Sequence, residues 1–267
     1  MSRGPGAEAP CILAMGGGGF TMEPDNPALD DLVLSLTDKP APRVLFLPTA
    51  SGDPTGQITA FYGRFGRTAA ATHLSLFRRH GSARSLADIV LEQDAIYVGG
   101  GSMRNLLAIW RAHGLDELLA EAWRRGIVLA GLSAGAMCWF AGGVTCSGGP
   151  PEPMEGLGLL PGSFTVHADG EPERLPVWLA AVRAGALPGG WAADDGVGLL
   201  FRGTRMTRVV SSRPGTAALR VELVAGELVR HRIVPELLGD RAGGPGSRPV
   251  PDDVRELRAL RYGGRRD

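Results

Sequence analysis

Lysine is almost missing from this chain: Lys39 is the only one among 28 basic residues. Arginine supplies the rest, and 28 acidic residues cancel the charge to a formal net of zero. That balance excludes a broad basic surface for nucleic acid. Cysteine is scarce too. Cys11, Cys138 and Cys146 are odd in number and show no CxxC spacing. A disulfide framework and a structural zinc site are both excluded on that pattern, and a reducing compartment fits. No apolar run approaches the length needed to cross a bilayer, so no membrane association is expected. The opening "MSRGPGAEAP" has one arginine and no apolar core, and does not read as a signal peptide. These absences together place the protein in the cytoplasm as an expectation. What remains is ordinary for a globular protein: 267 residues, 44% hydrophobic and 21% charged. That length buries a sizeable core in one large α/β domain or two small ones.

Short apolar runs alternate with helical patterns through the first half. "CILAM" (11–15) ends in four glycines. A segment with helical spacing of Leu29, Leu32, Val33 and Leu36 precedes "RVLFLPTA" (43–50). "THLSLF" (72–77), "DAIYVGGG" (94–101) and "GIVLAGLS" (126–133) read as further strands, with an amphipathic helical run over 106–125. This rhythm predicts a mainly parallel central sheet with helices on both faces, flavodoxin-like in class. The second half changes character. "GVGLLFRG" and "MTRVVSS" are strand-like, and residues 217–234 read as a β-hairpin turning near Ala225–Gly226. The expected division is a flexible N-terminus (1–10), an α/β domain (11–238) and a Gly/Pro/Arg-rich tail (239–267) with a possible short helix at 252–261.

"GLSAGAMCWF" (131–140) carries the chemistry. Ser133 lies between small residues, after a strand-like run and before a helical one. A G-x-S-x-G turn of that kind lifts a hydroxyl out of a sheet, with N–H groups behind it. Its bland reading is a glycine-flanked serine capping a helix. A serine hydroxyl needs a base to take its proton. Of His73, His80, His113, His167 and His231, His167 is the best candidate, because it sits in a polar loop, "GSFTVHADGEPER", downstream of the serine. "YVGGGS" (97–102) lets backbone approach closely and offers N–H groups for an oxyanion hole. "MGGGGF" (15–20) lacks the last glycine of a dinucleotide fingerprint, so no dinucleotide cofactor is expected.

Five blocks, "ILAMGGGGFTMEPDNPALDD", "RVLFLPTASGD", "YVGGGSMRNLLAIWRAHGLDELL", "GLSAGAMCWF" and "GLLPGSFTVHADGEPER", together resemble the peptidase E group (dipeptidase E, peptidase family S51). The resemblance runs in order from about residue 11 to about residue 225. It implies a fold like class I glutamine amidotransferases, with serine where those carry cysteine, and hydrolysis of short peptides with an N-terminal aspartate, without metal or cofactor. It implies Ser133 as nucleophile and His167 as base. Gly100, Gly101 and Ala134 would form the oxyanion hole, and Arg174 would read the substrate carboxylate beside Asp169. The expected partner is a short acidic peptide, and the chain would act as a monomer or homodimer.

The sequence departs from the family pattern where a carboxylate is expected after the nucleophile helix. "GVTCSGG" places Cys146 there, and a thiol cannot stabilise an imidazolium as a carboxylate does. Glu152 is the favoured replacement, ahead of Glu155 and Asp169. The alternatives are a weak Ser–His dyad, or a catalytically impaired homologue that binds an acidic peptide or other carboxylate ligand without efficient turnover. An α/β-hydrolase order of Ser133, then Asp194 or Asp195, then His231 is also present, but it runs through apparent hairpins where that fold needs strand–helix alternation.

Overall fold

The computed structural model describes residues 9–77 and 84–239. The chain runs β1 (Cys11–Met15), α1 (Gly19–Met22), α2 (Ala28–Ser35), β2 (Arg43–Leu47), α3 (Thr55–Phe65) and β3 (Ala70–His73). It continues through α4 (Leu86–Leu91), β4 (Ala95–Val98), α5 (Met103–His113), α6 (Leu115–Arg125), β5 (Val128–Leu132) and α7 (Ala134–Met137). The second half holds β6 (Phe140–Thr145), β7 (Glu152–Glu155), β8 (Leu160–Thr165), α8 (Arg174–Arg183) and β9 (Gly190–Ala193). Then come β10 (Val197–Arg202), β11 (Arg205–Ser211), β12 (Ala218–Val224), β13 (Glu227–Ile233) and β14 (Glu236–Leu237).

The expected parallel sheet is present. Strands β1, β5, β4, β2 and β3 pair in parallel in that order, and β10, β11 and β14 extend the β1 edge to eight strands. Both faces are covered. Ile12, Ala14, Ile96 and Val98 point into one core with Leu106, Trp110 and Leu119 of α5 and α6. Their neighbours Leu13, Met15, Ala95 and Tyr97 point the other way, against Leu29, Phe61 and Phe65 of α2 and α3. Successive side chains alternate across a strand, so a sheet buried on both sides needs the continuous apolar runs seen here.

Three readings are corrected. The strand expected at 72–77 is β3 at Ala70–His73; a last bond from the Leu74 N–H to the Phe46 carbonyl ends the pairing with β2, and Leu74 and Leu76 are buried in the core. The helical run at 106–125 is two helices, broken at Gly114, whose φ of 64° caps α5 in the left-handed region. The second half forms a separate six-stranded sheet, β13-β12-β9-β8-β6-β7, within which the expected hairpin is β12–β13. The possible helix at 252–261 lies outside the described residues.

The two sheets meet where the site forms. β8 and β9 run parallel, with Thr165 beside Ala192, so the residues just past each strand emerge together. β9 then turns through residues 194–196 into β10 of the other sheet, which lies next to β1 and, beyond it, β5. The carboxyl ends of β5, β8 and β9 are thereby drawn to one place. No helix among the described residues is long and apolar enough to cross a membrane.

Candidate active site

Ser133 sits at the tip of the turn from β5 into α7, with φ 53° and ψ −119°. A non-glycine residue held there costs on the order of 1–3 kcal/mol, and the surroundings must enforce it. They do so by close approach. A Cβ on Gly131 would lie 2.1 Å from the Gly135 carbonyl oxygen, and one on Gly135 would lie 2.5 Å from that of Val98. The Ser133 N–H donates to the Met15 carbonyl at 3.0 Å, tying the turn to β1. The glycines of the motif are thus demanded by packing around the turn.

His167 follows β8 and is buried, with φ 54°. Its Nε2 lies 2.8 Å from Ser133 Oγ. The base and nucleophile expected from the sequence are therefore in hydrogen-bond contact. His73, His113 and His231 are all exposed.

The partner of the other ring nitrogen is a correction. His167 Nδ1 meets Asp195 Oδ1 at 2.5 Å. Glu152 is elsewhere: it lies on β7 and pairs with Arg104 of α5, both side chains about half exposed. Cys146 is no substitute either; its Sγ lies 3.7 Å from Glu171 Oε2. Asp195 comes from the β9–β10 turn and is buried beside the histidine. The signal for it was present in "GWAADDGVGLL": an apolar strand end, two aspartates and a glycine. It was read only as part of an α/β-hydrolase order with His231, which stands exposed on β13.

The glycine run after β1 is the other missed feature. Gly17 lies against the His167–Asp195 pair. A Cβ there would fall 2.1 Å from Asp195 Oδ1 and 3.2 Å from His167 Cε1. Gly16 N–H donates to Val197 and Gly196 N–H to Gly17, stitching the run to the Asp195 turn. Gly17 makes room for the histidine–carboxylate pair and Gly16 for the Ala193 and Asp194 carbonyls, reasons unconnected with phosphate. Beneath the run, Asp30 accepts from Tyr97 Oη at 3.1 Å and pairs with Arg64. Burial outweighs the Arg64 charge and pushes the Asp30 carboxyl up to about 7.

Gly100 also abuts Ser133: a Cβ on it would sit 3.2 Å from Ser133 Cβ. Gly101 has φ 140° and lies against the Ala50 carbonyl. Ala134 is the first residue of α7, where backbone N–H groups lack intrahelical acceptors. Backbone from both places therefore borders Ser133.

Two expected ligand-binding side chains have protein partners. Arg174 is buried; its Nε and Nη2 donate to Glu171 Oε2, and its Nη1 donates to the Val144 carbonyl at 2.7 Å. Three of the five guanidinium N–H groups are thus used. Asp169 Oδ1 accepts the Asp195 N–H at 2.9 Å. Nearby, burial raises the Asp194 carboxyl, the Ala217 N–H offsets part of this, and the Asp169 and Asp195 charges add to the rise.

A serine hydroxyl, an imidazole and a carboxylate in one hydrogen-bonded line form the arrangement used for acyl transfer. The model of peptidase family S51 matches residues 12–209. The chain belongs to peptidase family S51. A Bacillus subtilis (strain 168) protein named "Uncharacterized peptidase YgaJ" is 47% identical over 229 residues, covering 85% of this chain and 99% of that one. Two solved structures share the fold. A peptidase from an acI-B1 Actinobacterium has a TM-score of 0.68 at 20% identity, with 86% of this chain and 96% of that one covered. A putative peptidase E protein from Listeria monocytogenes EGD-e has 0.51 at 18%, with 74% and 97% covered. Family S51 membership makes the protein a serine-type peptidase by class.

Proposed function

We propose that this peptidase hydrolyses short peptides with an acidic first residue through an acyl-enzyme on Ser133. The observation that carries the reading is the continuous contact from Ser133 Oγ through His167 to Asp195. His167 Nε2 takes the hydroxyl proton as Oγ attacks the scissile carbonyl. The oxyanion that forms is received by N–H groups of Ala134 and the Gly100–Gly101 segment. His167 returns the proton to the leaving amine, and a water then repeats the sequence to release the acid. Asp195 fixes the ring orientation and stabilises the imidazolium. The contrary reading, an impaired homologue, drew on the missing carboxylate at Cys146; the Asp195 carboxylate on His167 Nδ1 supports the active reading over it.

The acidic preference rests on Arg174, whose remaining N–H groups suit a carboxylate. Steady-state hydrolysis of Asp-linked chromogenic peptides, with Gly- and Lys-linked controls, tests it. We expect turnover of the Asp series alone, and loss of at least about a thousandfold in Ser133→Ala. Equal rates for wild type and Ser133→Ala would overturn the nucleophile assignment. Equal use of Gly-linked peptides would overturn the acidic preference.

A further inference from the structure

We infer that Asp169 is a positioning residue for the histidine–carboxylate pair, acting on the backbone of Asp195. The inference deepens the proposed function and rests on its assignment of His167 and Asp195. It replaces the expectation that Asp169 binds substrate.

The argument begins with the strand ladder. β8 and β9 are paired in parallel up to Thr165 and Ala192. His167, at φ 54°, then turns the chain out of strand geometry. One more rung survives, from the Ala168 N–H to the Ala193 carbonyl at 3.1 Å. Beyond it the β8 side has rounded into the 167–171 turn, where the Gly170 and Glu171 N–H groups both donate to the His167 carbonyl. The buried N–H of Asp195 therefore faces a turn, and a buried donor requires an acceptor. The Asp169 carboxylate is that acceptor, at 2.9 Å.

The two segments are consequently clasped three times: by main chain at Ala168–Ala193, by side chain at His167–Asp195, and by the Asp169 side chain on the Asp195 main chain. The last bond holds the same residue whose carboxylate meets Nδ1, two positions from the histidine itself. If it is lost, the Asp195 turn is freed to shift relative to the ring. A displacement near 1 Å at such a site lowers the rate by up to about a hundredfold. Asp169 is exposed on its outer side, so truncating it leaves the core intact.

The role is that of a hydrogen-bond acceptor, and charge is secondary. Asp169→Ala removes the acceptor, whereas Asp169→Asn keeps a carbonyl oxygen in place. Two readouts are paired on the full chain: kcat and KM on an Asp-linked peptide, and the low-field proton resonance of the His167–Asp195 bond, which needs no substrate. We expect D169A to lower kcat about tenfold with KM within about twofold, and to shift or broaden the low-field proton. D169N should recover most of the lost rate and the proton signal. Unchanged kcat and an unchanged proton in D169A would overturn the inference. So would a rise in KM common to D169A and D169N with kcat preserved, which marks a charge contact with substrate. A wild type that cuts no acidic peptide, with a proton that still shifts in D169A and returns in D169N, would sink the peptidase specificity while supporting the positioning role.

Discussion

Asp195 and Glu152 each meet a basic partner, yet their surroundings differ. Glu152 lies on β7, an edge strand of the smaller sheet, and its contact with Arg104 is bathed in solvent. Asp195 is 3% exposed and its partner His167 is 6% exposed. Its turn is held by hydrogen bonds from Gly196 to Gly17 and from its own N–H to Asp169. Charge interactions strengthen as water is excluded, and fixed geometry removes the cost of reorienting. A carboxylate that must stabilise an imidazolium belongs on the second kind of turn. Sequence proximity to the nucleophile helix, which favoured Glu152, carries no information about either property.

The widest separation between the two regions is expected in rate. Asp195→Asn keeps the side-chain shape and removes the charge, and should lower kcat by roughly ten-thousandfold on an Asp-linked peptide. Glu152→Gln should leave kcat within about twofold, since an exposed pair contributes about 0–1 kcal/mol at most. Both are read by steady-state kinetics on the same substrate. A large loss in Glu152→Gln with a small one in Asp195→Asn would reverse the comparison.

A second contrast tests burial through stability. Arg174 and Glu171 form a nearly buried pair, while Arg104 and Glu152 form an exposed one. Removing one partner of a buried pair strands the other charge and costs about 3–5 kcal/mol. Arg174→Met should therefore lower the denaturation midpoint markedly, and Arg104→Met should scarcely move it. Urea melts of the two variants check this, independent of any activity. Equal midpoints would show that the Arg174 environment is wetter than its burial implies.

How far the sequence reveals these regions depends on the distance over which each signal acts. The parallel sheet was legible because β1, β2, β4 and β5 are continuous apolar runs with a helix after most of them. Ser133 was legible because its turn is local: Gly131, Leu132, Ala134 and Gly135 all bear on it. His167 followed from a polar loop after an apolar strand. Asp195 was not assigned, because its approach to His167 depends on β8 and β9 pairing across an intervening helix, and "GWAA" has little strand signature of its own. The second sheet was unread for a like reason: "FAGGVT", "EPME" and "LPGSFT" are short and rich in glycine and proline. Arg174 was expected to read a substrate carboxylate, but nothing in the sequence marked Glu171, three residues earlier, as a partner of its guanidinium.

The glycines of the two regions make a finer comparison. At Gly17 an added methyl would meet Asp195 Oδ1 at 2.1 Å, a side chain already pinned by His167. At Gly148 it would meet Glu152 Oε1 at 3.1 Å, the far end of a flexible, solvated side chain. Gly17→Ala should displace the carboxylate and lower kcat about a hundredfold. Gly148→Ala should change kcat by less than about twofold, since the Glu152 side chain has room to swing away. Measured side by side, these two methyl groups report how tightly each carboxylate is held.

The smallest effect is expected where the family pattern pointed most directly. Cys146→Asp would restore a carboxylate at the position where the resemblance implied one. In this fold that side chain faces Glu171 at the Sγ–Oε2 distance of 3.7 Å, while His167 Nδ1 is already met by Asp195. The new carboxylate would lie against a like charge that is itself bonded to Arg174, and neither ring nitrogen would gain a partner. C146D should therefore give no increase in kcat, with a modest loss of stability from the repulsion. A gain of tenfold or more would show that the Asp195 contact is not the one used in turnover, and that the loop after β6 closes on the histidine instead.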